Sequence, residues 1–455
     1  MRKNDLSLDF FCQKISIKKI FQKTLSFLKS SNSTKGGIVF LGMSLVASAL
    51  NYVFQLIGRR VLPNEEFGAF GSFMSIFNLV SASLLSAFQI SVAVHIAKNT
   101  NEKNKIDKFL QGSIIFGFFL LFTTSFLGIF YKSLGFSSPL IFLNLGISIF
   151  FGSIGSALNG GLQGRKKFSV LGFASVFVSI TKIITFLIFA YFVSKNVLMA
   201  SVSQSIASIF IILPGVWFFV FNKKIPKDEK INLKEIFSWQ ETKKSFLIVL
   251  KFFKESLDKF VGVTLFTAFY SIDLILINAL KSDNFSSNYA TLSLFVKILL
   301  FPIVAINGIF LPYIAESSKN YSALKRVSKI FFALVFLITS SVLIFYIGAP
   351  HLVFKVLLLE KFSYLEKELI AISVFGFFLA ISSSFFYFFN GVKEKLSNFV
   401  IAIGTIVEIF IIIFARSAHS LAQQVWISSF VVFLGFSILF LKKIFELKKK
   451  EEKSL

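Results

Sequence analysis

Four ionisable residues interrupt long apolar runs of this 455-residue chain: Lys182, Asp273, Lys297 and Glu408. A charge at the centre of a spanning helix costs roughly 2.5–3.5 kcal/mol on insertion scales, so each residue needs a partner, water or a ligand. Each lies seven to ten residues from the predicted outer end of its run. At 1.5 Å per residue this is a depth of about 10–15 Å. Charge at one depth on four helices predicts a site for a substrate or an ion.

Polar residues at corresponding positions of the two halves support this interpretation. The pairs are Asn51 with Asp273, Asn78 with Lys297, and Lys182 with Glu408. Ser175, Ser179 and Thr185 recur around Lys182 at helical spacing, which places them on one face of the helix. We therefore predict an inward polar face that lines a cavity between the halves.

Purely structural roles remain alternatives for these residues. Asp273 and Lys297 lie on neighbouring helices of one hairpin and can form an ion pair, and Lys182 can pair with Glu408 across the halves. Stripes of serine and threonine also serve as packing surfaces between helices in lipid. Ion pairing and ligand binding both stay open at this point.

Two arginines, Arg59 and Arg60, end the first apolar run. The planar guanidinium group suits bidentate binding of phosphate. The alternative is a surface pair of charges beside Glu65 and Glu66. We include both arginines among the candidate cavity residues.

The elements that carry these residues are about a dozen apolar runs, each near the 20 residues that a helix needs to cross a bilayer. Hydrophobic residues make up 55% of the chain and its mean hydropathy is +0.77, which excludes an ordinary soluble domain. The predicted spans are 36–57, 68–94, 112–131, 140–158, 168–192, 197–221, 257–280, 289–315, 327–348, 368–389, 398–415 and 423–441. We expect an all-α polytopic membrane protein, and so many spans are typical of a transporter or channel.

The basic residues predict the orientation of these spans. With the N-terminus inside, 37 of the 48 Lys and Arg residues fall in inner segments or at the inner ends of spans, and nine fall in outer loops. This follows the positive-inside rule and predicts twelve spans with both termini cytoplasmic. A nucleic-acid-binding patch would not alternate in this way, so the net charge of +25 does not indicate a nucleic-acid partner.

The chain divides into two six-helix bundles, residues 36–221 and 257–441, with basic cytoplasmic segments at 1–35, 222–256 and 442–455. Amphipathic stretches at Phe11–Leu28 and Ile231–Lys254 predict helices on the inner membrane surface. An Asn-Gly pair followed by a short basic loop occurs in both halves, at Asn159-Gly160 and Asn390-Gly391, and we predict turns there. Six spans per half make the halves parallel repeats with a site between them.

Motifs of enzymes and metal sites are missing from the sequence. The three histidines, His95, His351 and His419, are scattered, and Cys12 is the one cysteine. There is no phosphate-binding loop of an ATPase and no large outer loop with a catalytic pair. We therefore expect no enzyme activity and no metal or organic cofactor, with H⁺ or Na⁺ as the candidate coupling cation.

Several short motifs resemble those of the flippases for polysaccharide biosynthesis, which move lipid-linked oligosaccharides. Arg60–Gly68 is similar to the family's "LGPEEFG" after the first helix, and Leu162–Phe168 resembles its "LQG…F" loop. Asp273 is similar to an aspartate of the family's seventh helix, Tyr289 to the tyrosine that opens the eighth, and Leu311-Pro312 to the end of that helix. The resemblance covers about residues 36–441. It also extends to the superfamily of multidrug antiporters and lipid II flippases.

The resemblance implies a V-shaped pair of six-helix bundles around a central cavity. It implies a polyprenyl-diphosphate-linked oligosaccharide as substrate, moved from the cytoplasmic to the outer leaflet of a bacterial inner membrane by alternating access. The expected partners are this glycan lipid, the membrane lipids and the glycan polymerase or assembly proteins, and we expect a monomer. A cation-coupled multidrug or metabolite antiporter of the same fold is the alternative, with Asp273 or Glu408 carrying the ion. A scaffold for glycan-assembly enzymes is another.

Overall fold

A computed structural model of the chain describes residues 32–98, 105–221, 260–318, 320–357 and 359–454. The predicted surface helices Phe11–Leu28 and Ile231–Lys254, the linker 222–256 and most of the segment 1–35 lie outside the described residues. The described residues form helices and connecting turns without a β-strand. This confirms the predicted all-α class, which follows because a helix satisfies its own backbone groups in lipid.

The described part of the first half contains six helical units, two of which are interrupted. A π-helical turn, Ser81–Leu85, joins α2 to α3, and a second, Trp217–Phe221, follows α8. The helices are α1 (Asn32–Val61), α2 (Asn64–Val80), α3 (Ser86–Lys98), α4 (Lys105–Phe126), α5 (Leu140–Gly164), α6 (Phe168–Phe192), α7 (Val197–Phe210) and α8 (Ile212–Val216). Glu66 accepts a hydrogen bond from the backbone N–H of Val197 at 2.8 Å, so the start of α2 caps the start of α7.

The second half repeats this arrangement with a break in its first unit. The helices are α9 (Phe260–Phe269), α10 (Ile272–Leu280), α11 (Asp283–Ser317), α12 (Tyr321–Gly348), α13 (Pro350–Val356), α14 (Glu366–Val392), α15 (Leu396–Phe414), α16 (Ala418–Gln424) and α17 (Trp426–Ser454). A 3₁₀ turn, Glu360–Leu365, precedes α14. Helices α9 and α10 meet at a bend of 49°, whereas the sequence predicted one continuous span over 257–280.

Ten helical segments among the described residues are long and apolar enough to cross a membrane, and the bent pair α9–α10 makes an eleventh. They match the second to twelfth predicted spans. The predicted first span lies within the 30-residue helix α1, which is not among the eleven.

The two halves touch through α1 and α2 on one side and α10 and α11 on the other. At Gly68 of α2, an added Cβ would lie 2.2 Å from the Ser286 Oγ of α11, so this glycine permits the close approach. The side-chain amide of Asn278 donates to the carbonyl oxygens of Leu134 (2.8 Å) and Gly135 (3.1 Å) in the first half. We call the region of the α1–α2 and α10–α11 turns the closed end; it is the end predicted to face outward.

The predicted Asn-Gly turns are wrong, because both pairs lie inside helices. Asn159 belongs to α5 and Asn390 to α14, and the chain turns only after Gly164 and Val392. In the membrane a helix continues past Asn-Gly because its backbone groups have no water to bond. The real turns are alike in the two halves, since Lys166 and Lys393 both have φ of 57°. The N–H that follows each lysine bonds a carbonyl five residues back, as in a Schellman motif.

The closeness of Gly68 to Ser286 generates a test of the closed end. Gly68→Val should push the halves apart there, because the new side chain overlaps Ser286. In a Cys12→Ser background, a cysteine replacing the fully buried Ser72 should then react several-fold faster with a membrane-impermeant maleimide. Gly42→Val is the matched control, since nothing lies within 4 Å of a Cβ there. Equal labelling rates in the two variants at equal membrane abundance would contradict the assigned contact.

Candidate functional site

The buried amine of Lys182 is held by the first helix. Its Nζ donates to the Oδ1 atom of Asn51 at 2.5 Å and lies 4.6 Å from the centre of the Phe54 ring. Residues 51 and 54 are neighbours on one face of α1, and α6 packs along this face. One amide oxygen and one aromatic face therefore stabilise the ammonium group of Lys182.

The second lysine of the site joins the two halves. Lys297 of α11 donates from Nζ to the Oε1 atom of Gln55 on α1 at 2.6 Å. Asn51 and Gln55 are four residues apart, so their side chains lie one above the other on α1. Helix α1 thus receives one lysine from each half on successive turns, and two cations converge at the centre of the protein.

Asp273 lies in the first turn of α10, directly after the break in the seventh span. Its Oδ1 accepts the backbone N–H of Leu274 at 2.7 Å, and its Oδ2 accepts the hydroxyl of Tyr289 at 2.9 Å. Discontinuous helices commonly build ion and substrate sites in transporters, because their ends leave backbone groups unpaired. The break therefore places a carboxylate where a spanning helix begins afresh.

Glu408 of α15 is completely buried, and neither of its carboxyl oxygens has a hydrogen-bond partner among the described residues. It is close enough to interact electrostatically with Asp273 and Tyr289. An ionised carboxylate without a partner costs several kcal/mol in such surroundings. Glu408 is consequently stable here as a protonated acid, or as a carboxylate that holds a cation.

Neither ion pair considered from the sequence forms in the structure. Asp273 and Lys297 interact electrostatically but are not in contact as an ion pair, and Lys182 is bonded to Asn51 rather than to Glu408. The amides of α1 lie nearer to both lysines than the carboxylates do. The site therefore has a cationic part on α1 and an acidic part around Tyr289.

Arg59 is fully buried at the closed end, so the predicted surface pair with Glu65 and Glu66 is wrong for this residue. Its guanidinium carbon lies 4.7 Å from the ring centre of Phe67 and 3.7 Å from that of Phe362, which belongs to the other half. One terminal nitrogen donates to Asn64 at 3.0 Å, while Nε and Nη1 have no partner among the described residues. Arg59 is buried because the two rings meet over it.

The remaining predicted site residues, Arg60 and Asn78, lie apart from this centre. Arg60 is exposed and donates to the carbonyl oxygen of Leu357 in the other half at 2.6 Å. Asn78 is half-buried near the end of α2, and its side chain makes no hydrogen bond with the other candidates. Arg60 therefore contributes to the closed end, and no hydrogen bond among the described residues links Asn78 to the two lysines.

Sequence reasoning missed Gln55 and Phe362 as members of these contacts. The spacing of Asn51 and Gln55 on one apolar helix was an available signal, because two amides four residues apart share a face. No such signal existed for Phe362, which is one of 64 phenylalanines and contacts Arg59 only through the fold. Among the described residues, no group of three His, Cys, Asp or Glu side chains is placed to hold a metal ion.

The family of the chain follows from comparison with known proteins. A family model described as "Polysaccharide biosynthesis protein" matches residues 33–318. The chain belongs to this polysaccharide biosynthesis family. The match includes α1, α6, α10 and α11, which carry both lysines and Asp273. No curated protein matches the sequence of this family member.

Solved structures show that this family member has the fold of the multidrug and lipid II transporters. An inward-facing multidrug resistance MATE transporter of the MOP superfamily matches with a TM-score of 0.69 and 16% identity over 90% of this chain and 99% of that one. The lipid II flippase MurJ in an inward closed conformation matches with a TM-score of 0.68 and 16% identity, over 90% of each chain. A MOP superfamily transporter from Pyrococcus furiosus matches with a TM-score of 0.55 and 17% identity, over 92% of this chain and 98% of that one. The predicted MATE-like pair of bundles is confirmed.

The bond between Lys182 and Asn51 predicts a specific pattern of stability. Asn51→Leu should destabilise the protein by about 1–3 kcal/mol, because it leaves the buried ammonium group without an acceptor. Adding Lys182→Met should restore most of this loss, since both partners are then apolar. Thermal unfolding of the purified protein in detergent measures both effects. Asn78→Leu is the control and should change the melting temperature little. A double variant as unstable as Asn51→Leu would show that Asn51 has a different structural role.

Proposed function

We propose that this protein is a flippase that moves a polyprenyl-diphosphate-linked oligosaccharide from the cytoplasmic to the outer leaflet by alternating access. It acts as a monomer in a bacterial inner membrane with both termini in the cytoplasm, and it is not an enzyme. The glycan lipid and the surrounding lipids are its partners, and glycan polymerase or assembly proteins receive its product. The orientation is supported by the excess of basic residues at the inner ends of the helices.

The observation that carries this proposal is the convergence of Lys182 and Lys297 on α1. Two ammonium groups on successive turns complement a diphosphate, and the low dielectric of the site strengthens their attraction for it. Asn51 and Gln55 then act as exchangeable partners that hold the lysines until the diphosphate replaces them. Membership of the polysaccharide biosynthesis family and the fold shared with a lipid II flippase support a substrate of this class.

The same contacts support alternating access. The bond from Lys297 to Gln55 joins the two halves, so a substrate that takes Lys297 away from Gln55 also weakens the joint between them. At the closed end, the Arg59 guanidinium group must leave the Phe362 ring before the halves can separate. Substrate binding at the centre and opening toward the outer leaflet are thereby linked through α1, which carries both Gln55 and Arg59.

Reconstitution tests the flippase directly. Proteoliposomes would receive a short-chain polyprenyl diphosphate bearing a fluorescent sugar, and the fraction protected from an impermeant quencher would report flipping. Lys182→Ala and Lys297→Ala should each slow flipping about tenfold or more, because a hydrogen bond to a charged group contributes roughly 1.5–3 kcal/mol. Lys297→Arg should retain part of the rate, since it keeps the charge but changes the geometry.

Lys132→Ala is the matched control for this assay, because it removes a basic residue at a turn of the first half without touching α1. Flipping that stays unchanged in both core-lysine variants would refute the proposed site. Absence of flipping by the wild-type protein, together with efflux of a cationic dye under a proton or sodium gradient, would favour the antiporter. A protein inactive in both assays, whose core lysines can be replaced in cells without loss of surface glycan, would fit the scaffold.

Coupling to H⁺ or Na⁺ is a second proposal, and the buried carboxyl of Glu408 favours it. Glu408, Asp273 and the Tyr289 hydroxyl together offer oxygens for one small monovalent cation or a proton. The same group would serve an antiporter, so this observation supports the alternative function equally. In either case, ionising or neutralising Glu408 changes the free energy of burying α15. This change can shift the equilibrium between the conformations of the protein.

Glu408→Gln tests this coupling, because glutamine imitates the protonated acid and binds no proton. We expect the variant to fold at wild-type abundance and to lose the dependence of transport on an imposed pH or sodium gradient. Glu394→Gln is the control: Glu394 lies in a turn outside the spans, and its hydrogen bond from Lys443 at 2.9 Å holds its pKa below the ordinary value, so it stays ionised. Gradient dependence that persists in Glu408→Gln would exclude this residue as the coupling group.

A further inference from the structure

An apolar groove of about 480 Å³ opens on the outside of the first half, between α6 and α8. Phe173 and Phe177 stack along one wall with ring centres 5.9 Å apart, and Trp217 forms the other wall. Phe173 and Trp217 are each more than half exposed, so the groove faces away from the protein interior. The rest of its lining consists of Ser169, Val170, Leu213 and Pro214.

The groove exists because the sixth crossing unit is not a regular helix. Helix α7 ends at Phe210, and α8 is a separate short piece that contains Pro214. Gly215 lets α8 lie against α5, since an added Cβ would be 2.7 Å from Leu158. The close approach to α5 leaves a gap on the side of α6, which no other part of the described chain fills.

One end of the groove carries positive charge. Lys166 and Lys167 are exposed at the turn before α6, and the Nζ of Lys167 lies 5.9 Å from the ring centre of Phe218, the residue after Trp217. Lysines beside an apolar cleft at a membrane surface attract acidic head groups. The tryptophan at the same level is typical of the membrane interface, where its ring is partly apolar and partly polar.

The dimensions of the groove match one leaflet of a bilayer. Phe177 is ten residues beyond Lys167, which corresponds to about 15 Å along α6. The hydrocarbon core is about 30 Å thick, so this distance is about half of it. If the phosphate of a lipid lies at Lys166 and Lys167, the part of its acyl chain nearest the head group would lie along Phe173 and Phe177.

We infer that this groove is a binding site for an anionic phospholipid of the leaflet that contacts the Arg165–Lys167 turn. The apolar walls contact an acyl chain, and Lys166 and Lys167 bind the phosphate group. We place the groove outside the translocation path, because α6 and α8 pack on helices of the first half and three of its large side chains, Phe173, Leu213 and Trp217, are exposed. The inference is independent of the transported substrate, since it rests on the lipid-facing surface alone.

Fluorescence of Trp217 tests this site in the intact protein. A variant with Trp239→Phe and Trp426→Phe keeps Trp217 as its one tryptophan. It would be reconstituted in phosphatidylcholine that contains phosphatidylglycerol, with brominated acyl chains on one lipid or the other. We expect brominated phosphatidylglycerol to quench Trp217 several-fold more effectively than an equal fraction of brominated phosphatidylcholine. The double variant Lys166→Gln with Lys167→Gln should reduce this preference by about fivefold or more.

The matched control is Lys132→Gln with Lys195→Gln, which removes the same net charge from other turns of the first half. This control should keep the preference. Equal quenching by the two brominated lipids would overturn the proposal, as would an equal loss of preference in the control variant. Displacement of phosphatidylglycerol by a polyprenyl phosphate at low molar ratio would assign the groove to the substrate tail and would also overturn it. None of these results depends on whether the protein flips a glycan lipid.

Discussion

The need of a buried ammonium group for an oxygen partner governs the centre of this protein. Among the described residues, Lys182 and Lys297 form no ion pair with a carboxylate, and the amides of Asn51 and Gln55 supply the required acceptors. Because both amides belong to α1, this helix is fastened to α6 within its own half and to α11 in the other half. The positions of the two bundles relative to each other thus depend on the same bonds that hold the cations. A change at Lys297 therefore removes a contact between the two halves.

The buried charges of the two halves have different hydrogen-bond partners, although the helices of the halves are arranged alike. Lys182 has its partner within 2.5 Å, whereas Glu408, its approximate counterpart, has none among the described residues. The buried lysine of the first half thus has an acceptor, while the second half holds an unsatisfied acid near Asp273. The buried acids lie in the second half, and the two core lysines are held on α1. Under the proposed function, this separation would keep a bound diphosphate and a coupling cation from neutralising each other.

The spans and the burial of the four intramembrane charges were predictable, because hydrocarbon demands about 20 apolar residues per crossing and makes each exception visible. The partners of these charges were not. Whether Lys297 contacts Asp273 or Gln55 depends on how α1 and α11 rotate about their axes, and apolar runs carry little information about rotation. Arg59 shows the same limit, since its burial depends on a phenylalanine about 300 positions away. The break before Asp273 also escaped prediction, because neither glycine nor proline marks it in the sequence.

The left-handed lysines at the two equivalent turns have a consequence for biogenesis. Lys166 and Lys393 occupy a backbone region that costs an L-residue roughly 1–2 kcal/mol and that glycine would enter without strain. In the predicted orientation, lysine at both places puts positive charge on the inner side of the membrane, which retains basic loops during insertion. The residue that follows the fourth crossing of each half would then also be a topogenic signal for that half. If such a half were duplicated, the basic turn that sets its orientation would be duplicated with it. The second copy would then insert into the bilayer in the same direction as the first.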